Sequence, residues 1–420
     1  MKLSKLLLLL SSSLLFGLGL ASCGEDSTQP TGGDQPEVKT HSIKVWCAEE
    51  IVELTKTQLN NFLAENKDVK AEFVVEPQGE ASAASKMTQD PEAGADIYCF
   101  PQDQLARLIS SGSIAKVGGQ NKTAVQTNND AGSVQAATVG EYVYAYPITS
   151  DNGYFMYYDK SVVSESSIDD LSKIIADVKA KNKFISYNLS EDGAWYNAGF
   201  FFAAGCESTW TTNKDGFFTS YVDTFNTENG LIAMQGLKEI ITSGCWVNSA
   251  TVADFNSDSS VVISGTWDYA KALSILGDNL GVADLPSYTV NKKSYHIGSF
   301  QGYKLIGVKP QPQSKSDKLS LCHKIANYLS SEKCQLERFN AVSWGPSNLN
   351  AQKTNEVANH PALKALFAQN EYAVQQGQYP TEWWTYASSI GATIAQDGTN
   401  ADLAKILKDY AASLDSLLSK

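Results

Sequence analysis

From residue 41 onward the chain alternates two hydrophobic periods. Residues 41–47, which include Ile43, Val45 and Trp46, read as a short strand, and Ile51, Leu54, Leu59, Phe62 and Leu63 then recur at helical spacing. A second strand follows over 71–75, a third over 94–100, and a helix over 104–109. Strand, helix, strand, helix in this order means that each strand is brought back to its neighbour by a crossover, which builds a parallel sheet covered by helices. The rhythm resumes with strands at 141–147, 154–159, 184–189, 261–264 and 303–308, and with helices at 168–180, 195–204, 231–243 and 317–329. The closing helix carries Leu403, Leu407, Tyr410, Leu414 and Leu417 on one stripe behind a Thr399-Asn400 cap. No internal repeat or heptad pattern is present. The expected fold class is α/β, and in such sheets binding residues sit beyond the carboxyl ends of the strands.

The amino-terminal segment sets the compartment. Lys2 and Lys5 precede an apolar run over 6–20 that ends in Leu20-Ala21-Ser22-Cys23. The run is shorter than a membrane span once its serines are discounted, and it reads as a secretory signal over residues 1–22. Its ending resembles a bacterial lipobox, which implies that Cys23 is diacylated after cleavage and anchors the chain by more than one acyl chain. Residues 23–40 then supply Glu, Asp, Ser, Thr, Gln, Pro and Gly with almost nothing apolar, the composition of a flexible tether.

About 380 residues remain, too many for one hydrophobic core, so two lobes are expected. The formal charge is −13, and loss of the leader removes Lys2 and Lys5 and no acid, leaving −15. That surface argues against nucleic acid or anionic lipid as a partner. With Cys23 taken by lipid, the six other cysteines form three bridges or none; the exterior permits disulfides. Cys206 and Cys245 each follow a helical pattern ending in Gly and are candidates for proximity, against the reading of both as small buried hydrophobes. No CxxC is present and the four histidines are scattered, so no metal is expected. No cofactor motif is present either.

Several short stretches, in order, resemble the maltose-type family of extracellular solute-binding proteins of bacterial ABC importers. They are Ile43-Lys44-Val45-Trp46, Asp96-Ile97-Tyr98 followed by Asp103, Ser111-Gly112-Ser113-Ile114-Ala115-Lys116-Val117, Ala145-Tyr146-Pro147-Ile148, Tyr157-Tyr158-Asp159-Lys160, Ile263-Ser264-Gly265-Thr266-Trp267, and Trp383-Trp384. The resemblance spans nearly all of the chain after residue 43. It implies a two-lobed, type II periplasmic-binding-protein fold with a hinge and an interlobe cleft that closes on ligand. One lobe would comprise residues 41–149 plus about 301–343, the other 150–300 plus about 344–420. It implies a carbohydrate ligand, ABC permease subunits as partners, a monomer, and a place on the extracytoplasmic face of the cell membrane. Two departures stand out: Gln104 follows Asp103 where the family often has a basic residue, and Phe255-Asn256-Ser257-Asp258 lacks the usual Gly-Lys.

A sugar presents hydroxyls to carboxylates and amides, and CH faces to aromatic rings. The candidate ligand-binding residues are accordingly Trp46, Glu50, Phe100, Asp103, Gln104, Asp151, Asn152, Glu191, Trp195, Trp267, Trp344 and Trp384. Each has a structural alternative. Glu50 can complement a helix dipole, Asp103 can cap the next helix, Asp151-Asn152-Gly153 can be a turn, and Trp195 and Trp344 can be packing residues. Trp383 and Trp384 are adjacent, so only one is expected to face the cleft; Trp384 is the choice.

Other function classes stay in view. Asp103, Asp151 and Glu191 could supply the carboxylates of a glycoside hydrolase, although no nucleophile elbow, zinc motif or phosphate loop is present. A surface glycan adhesin is a further alternative. Within the receptor reading, an acidic aromatic cleft would also suit a polyamine or organic cation.

Overall fold

The computed structural model describes residues 39–417, so the leader, Cys23 and nearly all of the tether lie outside the described residues. Ten strands, β1 His41–Cys47, β2 Ala71–Pro77, β3 Ile97–Pro101, β4 Ala145–Pro147, β5 Phe155–Asp159, β6 Phe184–Ser186, β7 Trp246–Val247, β8 Ser259–Ser264, β9 Leu280–Ala283 and β10 Lys304–Val308, build two five-stranded sheets. The helices that matter to the site and its support are α1 Val52–Glu65, α2 Glu80–Gln89, α3 Leu105–Ser110, α4 Leu171–Ala180, α5 Ala194–Ala203, α6 Glu228–Ile241, α7 Ser316–Leu329, α8 Glu332–Val342, α9 Thr381–Asp397 and α10 Leu403–Asp415.

The first sheet runs β2-β1-β3-β10-β4. β1 lies parallel to β2 from His41↔Ala71 to Cys47↔Pro77 and parallel to β3 at Val45↔Ile97. β10 is antiparallel to both β3 and β4, because the chain re-enters this sheet late and from the opposite end. The second sheet runs β7-β6-β8-β5-β9, with β5 antiparallel to β8 and β9. Each sheet has its own core. Ile43, Val45, Ile97, Phe100 and Leu305 belong to one, and Met156, Ile185, Phe200, Leu237, Ile263 and Trp383 to the other. The molecule is thus two-lobed, as expected.

Side-chain caps start four of these ten helices, α4, α6, α8 and α10. Asp170 caps α4 by accepting from the Ser172 and Lys173 amides, and Ser331 caps α8 through the Cys334 amide. The expected Thr399-Asn400 cap of α10 is corrected: Asp402 accepts from the Lys405 amide, being the last extended residue before the helix. The stripe itself is as read, with Leu407, Tyr410 and Leu414 buried. The six described cysteines are free, buried thiols. Among the described residues, no helix is long and apolar enough to cross a membrane, and no group of three or more His, Cys, Asp or Glu could hold a metal.

Three chain segments pass side by side between the lobes. Ile148 N donates to Lys304 O at 3.0 Å, Ser150 N to Gly345 O at 2.9 Å, and Asn152 N to Gly302 O at 3.1 Å. The Asp151 carboxylate ties them further, accepting from the Gly345 amide at 2.5 Å and from the Thr266 hydroxyl.

A hairpin of the second lobe, Ser208–Thr212 paired with Phe218–Asp223, reaches α3 of the first. Trp210 stacks on Tyr221 with ring centroids 4.6 Å apart, which stiffens it. At its tip Gly216 has φ 83°, and a Cβ there would stand 2.2 Å from the Ala106 carbonyl oxygen of α3. Gly216→Val therefore combines a left-handed backbone with a clash against α3. The expected result is a closed arrangement weakened by about 1–3 kcal/mol, read as lower resistance to denaturant and as a more extended solution-scattering profile; an unchanged profile would mean that this contact does not hold the lobes together.

Candidate functional site

Between the two sheets, on the side where β1, β3 and β8 end, lies a cavity of about 990 Å³. Its first-lobe wall consists of Glu50 after β1, Glu80, Ala81 and Ser85 on α2, Asp103, Gln104 and Arg107 at and beyond the end of β3, and Lys304 at the start of β10. The second-lobe wall contributes Glu191, Asp192, Trp195 and Tyr196 around the start of α5, Trp267 after β8, and Gln376, Tyr379, Thr381, Trp384, Ser388 and Ser389 in and before α9.

The wall is held by specific contacts. Lys304 Nζ stands 3.3 Å from Glu80 Oε2 and lies over two rings, 3.8 Å from the Trp344 centroid and 5.2 Å from that of Trp267. Trp267 folds back over Gly265, where a Cβ would meet its ring at 2.1 Å, so only glycine lets the ring lie there. Trp195 and Trp267 approach at 6.3 Å between ring centroids, and Trp195 Nε1 donates to Gln376 Oε1 at 3.1 Å. Arg107 crosses between lobes, donating from Nη1 to Ser85 Oγ at 2.9 Å and to Thr381 Oγ1 at 3.1 Å. Gln378 clasps the same wall: its Oε1 accepts from Ala106 N at 2.8 Å and its Nε2 donates to Gln102 O at 2.7 Å. These bonds leave aromatic faces, amides, hydroxyls and carboxylates facing one shared space.

Burial acts strongly on the carboxylates. Desolvation raises the Glu80 carboxyl above its ordinary range, and the Lys304 ammonium pulls it back only in part. Asp103 has no such neighbour to compensate, and burial pushes it up to about 7. A carboxyl with a raised folded pKa makes the fold more stable where it is protonated, so its contribution falls as pH rises from about 4 to about 7. Asp103→Asn removes that slope. The unliganded variant is expected to gain on the order of 2 kcal/mol over the wild type at pH 8, with the difference vanishing near pH 4; denaturant melts at both pH values measure it.

The structure sorts the sequence candidates into two groups. Glu50, Asp103, Gln104, Asn152, Glu191, Trp195, Trp267 and Trp384 line the cavity. Trp46, Phe100, Asp151 and Trp344 do not. Trp46 is buried against the first-lobe core with its Nε1 donating to Glu76 at 2.9 Å. Phe100 is fully enclosed, since β3 is covered on both faces. Trp344 lies behind Lys304, and Asp151 faces the crossing segments. Asp103 makes no side-chain cap to α3, whereas the turn expected at Asp151 does form, Gly153 N donating to Asp151 O at 2.8 Å. Of the tryptophan pair, Trp383 is fully buried and Trp384 lines the cavity. Glu80, Arg107, Lys304, Gln376, Tyr379 and Thr381 also line the cavity and are not among the sequence candidates.

A family model described as bacterial extracellular solute-binding protein matches residues 57–365. No curated relative matches the sequence. Among solved structures, one described as a complex with acarbose is 27% identical, with a TM-score of 0.78 over 90% of this chain and 100% of the other. The maltodextrin-binding protein MalE1 from L. casei BL23 is 21% identical, with a TM-score of 0.72 over 90% and 98%. The GacH receptor of Streptomyces glaucescens GLA.O is 16% identical, with a TM-score of 0.75 over 91% and 99%.

Proposed function

Because this chain belongs to the bacterial extracellular solute-binding proteins, we propose that it captures an oligosaccharide in the interlobe cavity and delivers it to the permease of an ABC importer. The observation that carries this reading is the pairing of Trp195, Trp267 and Trp384 with carboxylates, amides and hydroxyls around one space of about 990 Å³ drawn from both lobes. Aromatic faces stack on sugar CH surfaces, while charged acceptors take hydroxyl hydrogens. Similar solved structures are maltodextrin-binding proteins or hold acarbose or maltotetraose.

In this reading the carboxylates act as hydrogen-bond acceptors and the protein performs no hydrolysis. The family places the chain outside the cytoplasm; anchoring through Cys23 would keep it beside the permease. Closure would proceed about the three crossing segments, with the Arg107–Thr381 and Ala106–Gln378 contacts forming as the lobes meet. A ligand that contacts both walls stabilises the closed state, and that state is what a permease can distinguish.

The test is a thermal-shift screen of residues 39–420 against mono-, di- and oligosaccharides and against polyamines, because a ligand that prefers the folded form raises its apparent stability. Oligosaccharides are expected to raise the melting temperature without release of reducing ends. A shift with polyamines alone, or sugar turnover, would overturn the proposal.

A further inference from the structure

Asp103 sits in the cavity wall at the carboxyl end of β3, 6% exposed, and its Oδ1 has no hydrogen-bond partner among the described residues. An unpaired buried acceptor is costly, roughly 1–3 kcal/mol and more when charged, and one that borders a cavity can be completed by what the cavity holds. The cations that could do so are engaged elsewhere. Lys304 is 3.3 Å from Glu80 and sandwiched against Trp344 and Trp267. Arg107, one helical turn beyond Asp103, points to the hydroxyls of Ser85, Thr88 and Thr381. The lining as a whole is acidic, with Glu50, Glu80, Asp103, Glu191 and Asp192 set against Arg107 and Lys304.

A sugar hydroxyl would supply one hydrogen bond to Asp103 and nothing that offsets the charge when the carboxyl ionises. A protonated amine supplies both the donor and the opposite charge, the stronger combination at a carboxyl as buried as Asp103. The tryptophan faces nearby tolerate a cation as well as a pyranose ring. We infer that the cavity is built for a saccharide bearing a protonated amine, with the ammonium seated on Asp103 and the sugar rings against the tryptophans; this rests on the carbohydrate reading above. One consequence concerns protons. Burial holds the free Asp103 carboxyl up near 7, and a docked ammonium pulls it back down, so binding below pH 7 expels a proton.

Calorimetric titration at pH 6, in two buffers of different ionisation enthalpy, tests the inference. The probes are a glucosamine trisaccharide and 2-amino- and 6-amino-substituted maltotrioses, each against its N-acetylated form and against maltotriose. At least one free-amine probe is expected to bind at least about tenfold tighter than its acetylated partner, with net proton release, and both effects are expected to vanish in Asp103→Asn. Asparagine is nearly isosteric, and a cooperative denaturant melt shows that the variant is folded. If acetylated and neutral probes bind the wild type as tightly as the amines, the inference fails and the carbohydrate reading stands. A preference that survives Asp103→Asn also overturns it, since the amine is then read elsewhere. If no saccharide binds, both fail together.

Discussion

Trp267→Ala is expected to weaken oligosaccharide binding about 100-fold, close to 3 kcal/mol. The ring spans the two walls, facing Lys304 of the first lobe at 5.2 Å and Trp195 of the second at 6.3 Å, and its position depends on the bare backbone of Gly265. Its removal takes away a stacking face and also opens the space beside the Glu80–Lys304 pair to water, which weakens that pair where it borders the ligand. Trp267 is only partly buried, so the unliganded melting point should move little. Trp267→Phe keeps a ring and should recover most of the affinity. Isothermal titration with the best sugar from the screen measures both variants; an alanine variant that binds like the parent would remove Trp267 from the site.

The neighbouring pair Trp383 and Trp384 should behave oppositely. In α9 successive residues point about 100° apart, so one ring can enter the lobe core while the next faces the cavity. Trp383 is fully buried, donates from Nε1 to Tyr410 Oη at 3.1 Å and packs on Tyr379 at 4.3 Å. Trp383→Ala deletes that packing and frees a buried hydroxyl partner, and it should cost about 3–5 kcal/mol of stability. Trp384 packs against Phe300 and Tyr379 at its base but lines the cavity. Trp384→Ala should cost about 1 kcal/mol of stability and at least tenfold in sugar affinity. Guanidinium denaturation and titration of the two variants separate the effects; equal losses of stability would contradict the assignment.

These residues also show what could be read in advance. Glu50, Asp103, Gln104 and Glu191 were legible because they follow strands, and the carboxyl ends of strands in an open α/β sheet border the cleft. Trp267 stood out through its place after Ser264-Gly265-Thr266. Phe100 was misplaced because period-two alternation separates faces only when one face is wet, and β3 is buried on both. Trp46 and Trp344 illustrate a related limit, since sequence position near a strand end or a crossing does not say which way a large ring turns. Glu80, Ala81 and Ser85 escaped notice because α2, Glu-Ala-Ser-Ala-Ala-Ser-Lys-Met-Thr-Gln, has small residues where an apolar stripe would mark a helix. Lys304 opens a strand whose other residues are plain core, and Gln376, Tyr379 and Thr381 reach the cavity only through the return of the chain after the third crossing.

Capture requires a guest gripped by both walls at once. Hydrogen–deuterium exchange of residues 39–420 with and without saturating oligosaccharide reports this directly. Slowed exchange is expected together in α2 and α3 of the first lobe and in α5 and the start of α9 of the second, with the outer helices α1 and α10 unchanged. Protection confined to one lobe, or spread evenly over both, would contradict capture between them.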